Sequence, residues 1–207
     1  MTIIGIVAGA FKPLTAGHFH IMAKAAHECE QVMIYVSTGD RARPGEFPIY
    51  WKDMQTVWSK FIEPAIKSLG TTLKAEINIE YCSVPIGSVM RFLREAEDNP
   101  EASASNIYVI YSDPVDIEAN FDEDLLEENF PELTAEDEWK EKQLFTWPVD
   151  RSETSGISGT IMRQALGSGD LVKFMKGLPV PLKDHGSEIF VLLRGRSDTD
   201  DTDTNTD

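Results

Sequence analysis

Residues 3–28, IIGIVAGAFKPLTAGHFHIMAKAAHE, constrain the fold of this chain more than any other stretch. The stretch begins with isoleucine and valine, which is typical of a strand that is buried on both faces of a parallel sheet. Pro13 cannot lie inside a helix, and Thr15 is a favourable N-cap, so we expect a helix to begin near Ala16. The stretch therefore predicts a strand, a loop of small residues and a helix N-terminus.

A helix N-terminus of this kind favours a bound phosphate, because its first backbone N–H groups are unpaired and the helix dipole is positive there. Thr15 and His18 bring a hydroxyl and an imidazole to this position, and Gly17 leaves the backbone open to a ligand. Residues 156–163, GISGTIMR, repeat the design, with Arg163 one turn beyond a threonine. Two such helix starts in one domain indicate a polyphosphate ligand.

The two segments resemble the signatures of a known family. The first has the form G-x-F-x-P-x-T-x-G-H, which resembles the (H/T)xGH signature of the nucleotidyltransferase α/β superfamily, and its defined positions are Gly9, Phe11, Pro13, Thr15, Gly17 and His18. Residues 157–163, ISGTIMR, resemble the second signature, ISSTxxR or SGTxxR. The resemblance covers residues 1–179. The superfamily includes phosphopantetheine and nicotinamide-nucleotide adenylyltransferases. Residues 163–179 are also similar to cytidylyltransferase-like proteins of tailed phages, and Lys12 stands where the phosphopantetheine branch usually has an acid.

The hydrophobic pattern predicts an α/β fold that agrees with this resemblance. Five buried or half-buried runs predict strands, at residues 3–8, 31–37, 74–83, 106–111 and 143–149. Apolar residues at helical spacing predict helices that follow them, notably at residues 16–28, 50–69, 86–98 and 170–176. The resemblance implies a Rossmann-like, doubly wound parallel sheet of five strands with helices on both faces, in one domain of residues 1–195.

The resemblance also implies roles for particular residues. The nucleotide would be bound by small, hydroxyl-bearing and basic residues of the two signatures and by one serine after the fourth strand: Gly9, Ala10, Phe11, Gly17, His18, Ser112, Ile157, Ser158, Gly159, Thr160 and Arg163. Catalysis would fall to His18, Thr15, Lys12 and Arg163, and the acceptor phosphate would be held by Lys12, Arg41, Lys52 and Arg91. Mg²⁺ would be held by the triphosphate oxygens, since the motifs supply no carboxylate ligands.

The predicted activity is transfer of a nucleoside monophosphate from a triphosphate to a small phosphate-bearing acceptor, with release of pyrophosphate. ATP is the first choice of donor and CTP the second. A competing hypothesis is a nucleotide-binding or virion-associated protein that keeps the fold without turnover. A dinucleotide-binding dehydrogenase ranks last, because the first turn lacks G-x-G-x-x-G.

Composition limits the partners of this chain. The net charge of −16 argues against nucleic acid or an anionic membrane as the main partner, because both would be repelled. The two cysteines, Cys29 and Cys82, form neither a C-x-x-C pair nor a zinc-site spacing, which fits a reducing cytoplasm. We expect a soluble, cytoplasmic protein, and the sequence leaves the oligomeric state open, a homo-oligomer included.

Three acid-rich or ambiguous segments complete the predictions. Residues 116–138 carry eleven acids and no Lys or Arg, with a break at Phe130-Pro131, and predict a solvated helical insertion at about 116–142 rather than a metal site. After the fourth strand, Asp113 and Asp116 are both expected to cap the next helix as N-terminal acids, and capping is the preferred role for Asp116. Residues 188–194 favour a helix over a strand, and the acidic tail of residues 196–207 is predicted to be disordered.

Overall fold

The computed structural model describes residues 1–136, 141–150, 154 and 156–195 of the chain. Within these residues the molecule has one sheet of five parallel strands: β1 (Thr2–Gly9), β2 (Gln31–Ser37), β3 (Glu76–Cys82), β4 (Asn106–Ser112) and β5 (Leu144–Pro148). All five predicted strands are confirmed, with small changes at their ends. The predicted disorder of residues 196–207 lies outside the described residues.

Helices connect the strands and pack on both faces of the sheet. The first half of the chain forms α1 (Ala16–Glu28), α2 (Trp51–Val57), a π-helical segment (Trp58–Ile62), α3 (Glu63–Leu73), α4 (Pro85–Glu97) and α5 (Pro100–Ser105). The second half forms α6 (Pro114–Asn120), α7 (Glu123–Asn129), α8 (Pro131–Thr134), α9 (Gly159–Ser168), α10 (Leu171–Gly177), a 3₁₀ turn (Val180–His185) and α11 (Gly186–Arg194). The helix predicted over residues 188–194 is therefore confirmed. No described helix has the length and apolar character needed to cross a membrane.

The strand order is β3-β2-β1-β4-β5, so β1 lies in the middle of the sheet. From β1 the chain builds outward through β2 to β3, and it then crosses back so that β4 pairs with the other side of β1. The carboxyl ends of β1 and β4 are therefore a topological switch point, which is where open α/β sheets bind ligands. This order confirms the doubly wound, Rossmann-like prediction, and it confirms that β3 lies at an edge.

The core has two layers, one on each face of the sheet. Alternate residues of β1 face opposite layers, with Val7 in one and Ile4 and Ile6 in the other. The first layer contains α1, α2, α3, α9, α10 and α11, and the second contains α4, α7 and α8.

The acid-rich insertion belongs to the second layer, which corrects the prediction of a solvated insertion. Its helices are present, and the break at Phe130-Pro131 is confirmed. Its apolar side chains Phe121, Leu126, Phe130 and Leu133 are, however, at most 3% exposed and pack with β1 and β4 residues. The acids therefore lie on the solvent side of helices whose apolar side packs against the sheet. The part of this prediction that concerns residues 137–140 lies outside the described residues.

Candidate active site

A cavity of about 610 Å³ opens at the carboxyl ends of β1 and β4. Both predicted signatures line this cavity, as do residues that follow β4. Of the residues predicted from the sequence, those that line it are Gly9, Ala10, Phe11, Lys12, Thr15, Gly17, His18, Arg41, Ser112, Ile157, Ser158, Gly159, Thr160 and Arg163. Segments about 150 residues apart in the chain therefore meet at one place.

Thr15 and His18 form a capping box at the start of α1. The Thr15 hydroxyl oxygen accepts a hydrogen bond from the His18 backbone N–H at 3.2 Å, and His18 Nδ1 accepts one from the Thr15 backbone N–H at 3.1 Å. In this exchange His18 takes the part that Glu or Gln plays in the common form of the motif. Because Nδ1 is an acceptor, the neutral imidazole carries its proton on Nε2. His18 thus lines the cavity with its ring fixed at the start of α1.

The Phe11 ring packs against this imidazole, and Gly9 leaves room for that ring. Phe11 adopts a left-handed backbone conformation, with φ of 49°, and its ring contacts the His18 ring edge to face at a centroid distance of 5.2 Å. A Cβ atom on Gly9 would lie 2.8 Å from the Phe11 ring, so a side chain at residue 9 would displace that ring. The glycine is needed here for close approach.

Lys12 lies in the cavity wall and points away from the two signatures. Its side chain is 4% exposed, and its ammonium donates to the backbone oxygen of Ser37 at 2.6 Å and to that of Gly39. Burial lowers the pKa of Lys12 from 10.5 to about 8, and the carboxylate of Asp40 acts in the opposite direction. Lys12 therefore links the β1–α1 loop to the end of β2.

Arg163 connects α9 to the β1–α1 loop. Ser158 caps α9, and one turn later the Arg163 guanidinium donates from Nη2 to the Thr160 hydroxyl at 2.8 Å and from Nη1 to the Lys12 backbone oxygen at 2.9 Å. A Cβ atom on Gly159 would lie 3.1 Å from Nη1, so the small residue leaves room for the guanidinium. Burial lowers the pKa of Arg163, and Arg41 adds to this effect.

The three basic residues predicted outside the signatures have different surroundings. Arg41 lines the cavity and forms an ion pair with Glu46. Lys52 is exposed on α2, and Arg91 is exposed on α4, where it pairs with Glu80 at 3.2 Å. Neither Lys52 nor Arg91 lines the cavity. Their role in acceptor binding stays a prediction, without support from their placement.

The segment after β4 contributes residues that sequence reasoning missed or misread. Asp113 caps α6, as predicted: its Oδ1 accepts from the Asp116 backbone N–H at 2.9 Å, while Asp116 is an acid of the first turn and not the N-cap. The Asp116 side chain lines the cavity, and burial raises its pKa. Asn120 and Phe121 also line it, one turn further along. The spacing of Asn120 from Asp116 was the available signal, since residues i and i+4 share a helix face.

The cavity consequently has two chemically different ends. The end at α1 and α9 carries two helix N-termini together with His18 and Arg163. The end at α6 carries the acid Asp116 and the amide Asn120. Such a site suits a ligand that has several anionic oxygens at one end and hydrogen-bond donors at the other. Among the described residues, no group of three His, Cys, Asp or Glu side chains could hold a metal ion.

Comparison with known proteins identifies the fold. No model of a protein family matches the sequence, and no curated protein matches it. Among solved structures, the chain is similar to a protein of Vibrio parahaemolyticus assigned as a nicotinate-nucleotide adenylyltransferase, with a TM-score of 0.51 and 16% identity over 94% of this chain and 96% of that one. It is also similar to Plasmodium falciparum nicotinic acid mononucleotide adenylyltransferase, complexed with APC (TM-score 0.49, 11% identity) and with NaAD (TM-score 0.46, 12% identity), over 93% of this chain and 98% of each of those.

The first of these similarities spans nearly the whole of both chains at low identity, so it reports on the fold. This result is consistent with the strand order of the sheet and with the position of the cavity at the switch point. The chain therefore shares the α/β fold of the Vibrio parahaemolyticus structure.

Proposed function

We propose that this chain is a nucleotidyltransferase. An oxygen of a small phosphate-bearing acceptor attacks the α-phosphorus of a nucleoside triphosphate, the bond from that phosphorus to the β,γ-pyrophosphate breaks, and pyrophosphate leaves. ATP is the preferred donor in this proposal, and CTP is the second. The observation that carries it is the meeting of two helix N-termini, one with His18 and one with Arg163, in a single cavity.

His18 stabilises the charge that develops on the transferred phosphate. The capping box fixes the ring and leaves the proton on Nε2, so the imidazole can donate to an α- or β-phosphate oxygen without changing its charge. The Thr15 hydroxyl lies at 3.1 Å from Nδ1 of the same ring and is 2% exposed, which suits a positioning contact to a phosphate oxygen. No side-chain nucleophile is required, because phosphoryl chemistry of this kind depends on positioning and charge stabilisation.

The leaving pyrophosphate is bound at α9 in this proposal. The N-terminal backbone N–H groups after Ser158 and the Arg163 guanidinium together offer a dipole, several donors and a full positive charge. Mg²⁺ bound to the triphosphate oxygens would neutralise part of the nucleotide charge. Lys12 would add a positive charge at the β1–α1 loop. The second end of the cavity, with Asp116 and Asn120, would accept hydrogen bonds from the base, the ribose or the acceptor.

The experiment that tests the proposal measures pyrophosphate release. ATP and CTP are each supplied with Mg²⁺ and with a panel of phosphomonoesters, and the wild type is compared with His18→Ala. Loss of one donor of this kind lowers kcat by about 10²–10³, which corresponds to roughly 3–4 kcal/mol of barrier. Equal activity in both proteins would remove the role given to the imidazole.

Two control variants separate chemistry from folding. In His18→Gln the amide oxygen can still accept from the Thr15 backbone N–H, so the capping box is kept while the imidazole is lost. His20→Ala removes an imidazole from the same helix that does not line the cavity, and we expect full activity. Nucleotide binding without turnover for any pair would instead support the binding-protein alternative.

A further inference from the structure

Glu46 places a carboxylate between two of the arginines at the cavity. Its Oε2 lies 3.1 Å from Arg41 Nε, its Oε1 lies 3.4 Å from Arg41 Nη2, and its Oε2 also lies 3.0 Å from Arg163 Nε. The hydrogen bond from Arg41 lowers the pKa of Glu46, and Arg163 lowers it further, so this carboxylate is ionised at neutral pH. One anion thus holds two guanidiniums together.

The fold of the β2–α2 loop fixes this arrangement. The backbones of Arg41 and Ile49 pair as an isolated antiparallel bridge, with both hydrogen bonds at 2.9 Å. Between them, Gly45 has a φ of 77°, and the Glu46 backbone N–H donates to the Arg43 oxygen at 3.1 Å. Ile49 is 1% exposed and anchors the loop in the core. Glu46 is therefore held next to Arg41 by a defined turn.

The guanidinium of Arg163 is incompletely satisfied in this state. It is a buried side chain, 5% exposed, and its Nε lies 3.0 Å from Glu46 Oε2 in an ion pair whose N–H is poorly aligned for a hydrogen bond. A buried donor in a poorly aligned contact gains less free energy than an aligned hydrogen bond would give it. The geometry is that of an anion site whose present occupant fits imperfectly.

We propose that Arg41 and Arg163 form one anion subsite, which Glu46 fills in the unliganded protein and which the terminal phosphates of a condensed phosphate occupy in its place. Its natural ligand, the β,γ-pyrophosphate of the nucleotide, rests on the proposed function. Arg41 therefore binds the leaving pyrophosphate rather than the acceptor phosphate in this proposal. A planar guanidinium makes paired contacts to phosphate oxygens as readily as to a carboxylate, so the exchange conserves the type of contact.

The exchange makes Glu46 an internal competitor of the phosphate. A phosphate that contacts both arginines must displace the carboxylate, because two anions would otherwise share the same donors and repel each other. Replacement of Glu46 by Gln removes the charge while it keeps an oxygen that can accept from Arg41. The variant should therefore bind a condensed phosphate more tightly and keep its loop fold.

Inorganic pyrophosphate is the probe, because its binding can be measured by calorimetry without any turnover. We expect Glu46→Gln to lower the Kd for pyrophosphate by about fivefold, as for the loss of a competing, partly exposed ion pair. We expect Arg41→Gln to raise it by about tenfold, as for a charge-assisted phosphate contact. The matched controls are Glu127→Gln, which removes an exposed acid on α7, and Arg94→Gln, which removes an exposed arginine on α4 that does not line the cavity. Both should bind as the wild type does.

An unchanged or raised Kd in Glu46→Gln would overturn the proposal, because Glu46 would then support the arginines rather than compete with the ligand. Equal Kd values for Arg41→Gln and Arg94→Gln would overturn it as well. Thermal unfolding of each variant checks the fold. If pyrophosphate behaves as expected and no nucleotidyl transfer is found, the subsite stands and the proposed function fails. If transfer is found and the Kd for pyrophosphate does not change in Glu46→Gln, the proposed function stands and the subsite fails.

Discussion

Replacement of Lys12 by Met should change how the stability of this protein depends on pH. Burial lowers the pKa of Lys12 from 10.5 to about 8 in the folded state, while the unfolded chain keeps the ordinary value. Between these two pH values the unfolded state binds more protons than the folded state. The free energy of unfolding should therefore rise with pH in this window, and the stability that Lys12 withholds below pH 8 is recovered in full only above pH 10.5.

The magnitude follows from the two pKa values. The full difference between the two pKa values corresponds to about 3 kcal/mol, and most of it develops between pH 7 and pH 10. Other lysines, tyrosines and cysteines titrate in the same range, so the absolute slope of one protein is not diagnostic. The difference between wild type and Lys12→Met removes their contributions, because they are the same in both proteins.

The assay is urea unfolding of both proteins at pH 7, 8, 9 and 10. We expect the free energy of unfolding of the wild type to rise by about 2–3 kcal/mol relative to that of Lys12→Met over this range, whatever the offset between the two proteins at pH 7. Parallel curves would refute the reasoning, since they would mean that the Lys12 ammonium is as well solvated in the folded state as in the unfolded chain. The two carbonyls that accept from it, at Ser37 and Gly39, would then offset the whole cost of its burial.

Three further substitutions test the packing and capping around the site. Gly177→Ala should lower the free energy of unfolding by about 1–3 kcal/mol in urea, because its Cβ would lie 2.6 Å from Met162 Sδ. Gly87→Ala on α4 is the contrasting change: its Cβ would meet only Val84 at 3.5 Å, so it should be neutral or stabilise by up to about 1 kcal/mol; a loss equal to that of Gly177→Ala would contradict the packing argument. Asp113→Ala should cost about 1 kcal/mol by removal of the α6 cap, whereas Asp113→Asn, which keeps an acceptor, should cost much less in the same titration.

The parts of the fold that local chemistry determines could be predicted from the sequence. Thr15 was predicted as the N-cap of α1, and the structure confirms it, because a hydroxyl at this position satisfies an N–H in its own first turn. The strand at residues 31–37 was predicted with its correct ends, since a fully buried parallel strand has a continuous apolar pattern. These signals depend only on neighbours in the chain.

The parts that depend on tertiary packing could not be predicted in this way. Phe121 and Phe130 lie in a run of acids. They are buried because they pack against one face of the sheet, and the local sequence pattern does not indicate this contact. Glu46 showed no signal at all, because its contact with Arg163 joins residues 117 positions apart through the β2–α2 loop. The Lys12 ammonium likewise binds carbonyls at the end of another strand. Such contacts follow from the topology.

The most direct test of the central claim is a crystal structure with a non-hydrolysable analogue of ATP or CTP. We predict that His18 Nε2 and the Arg163 guanidinium each lie within about 3.2 Å of oxygens of the same triphosphate, with His18 nearer the α-phosphate. A nucleotide whose phosphates contact only one of these side chains, or one bound away from the carboxyl ends of β1 and β4, would contradict the claim.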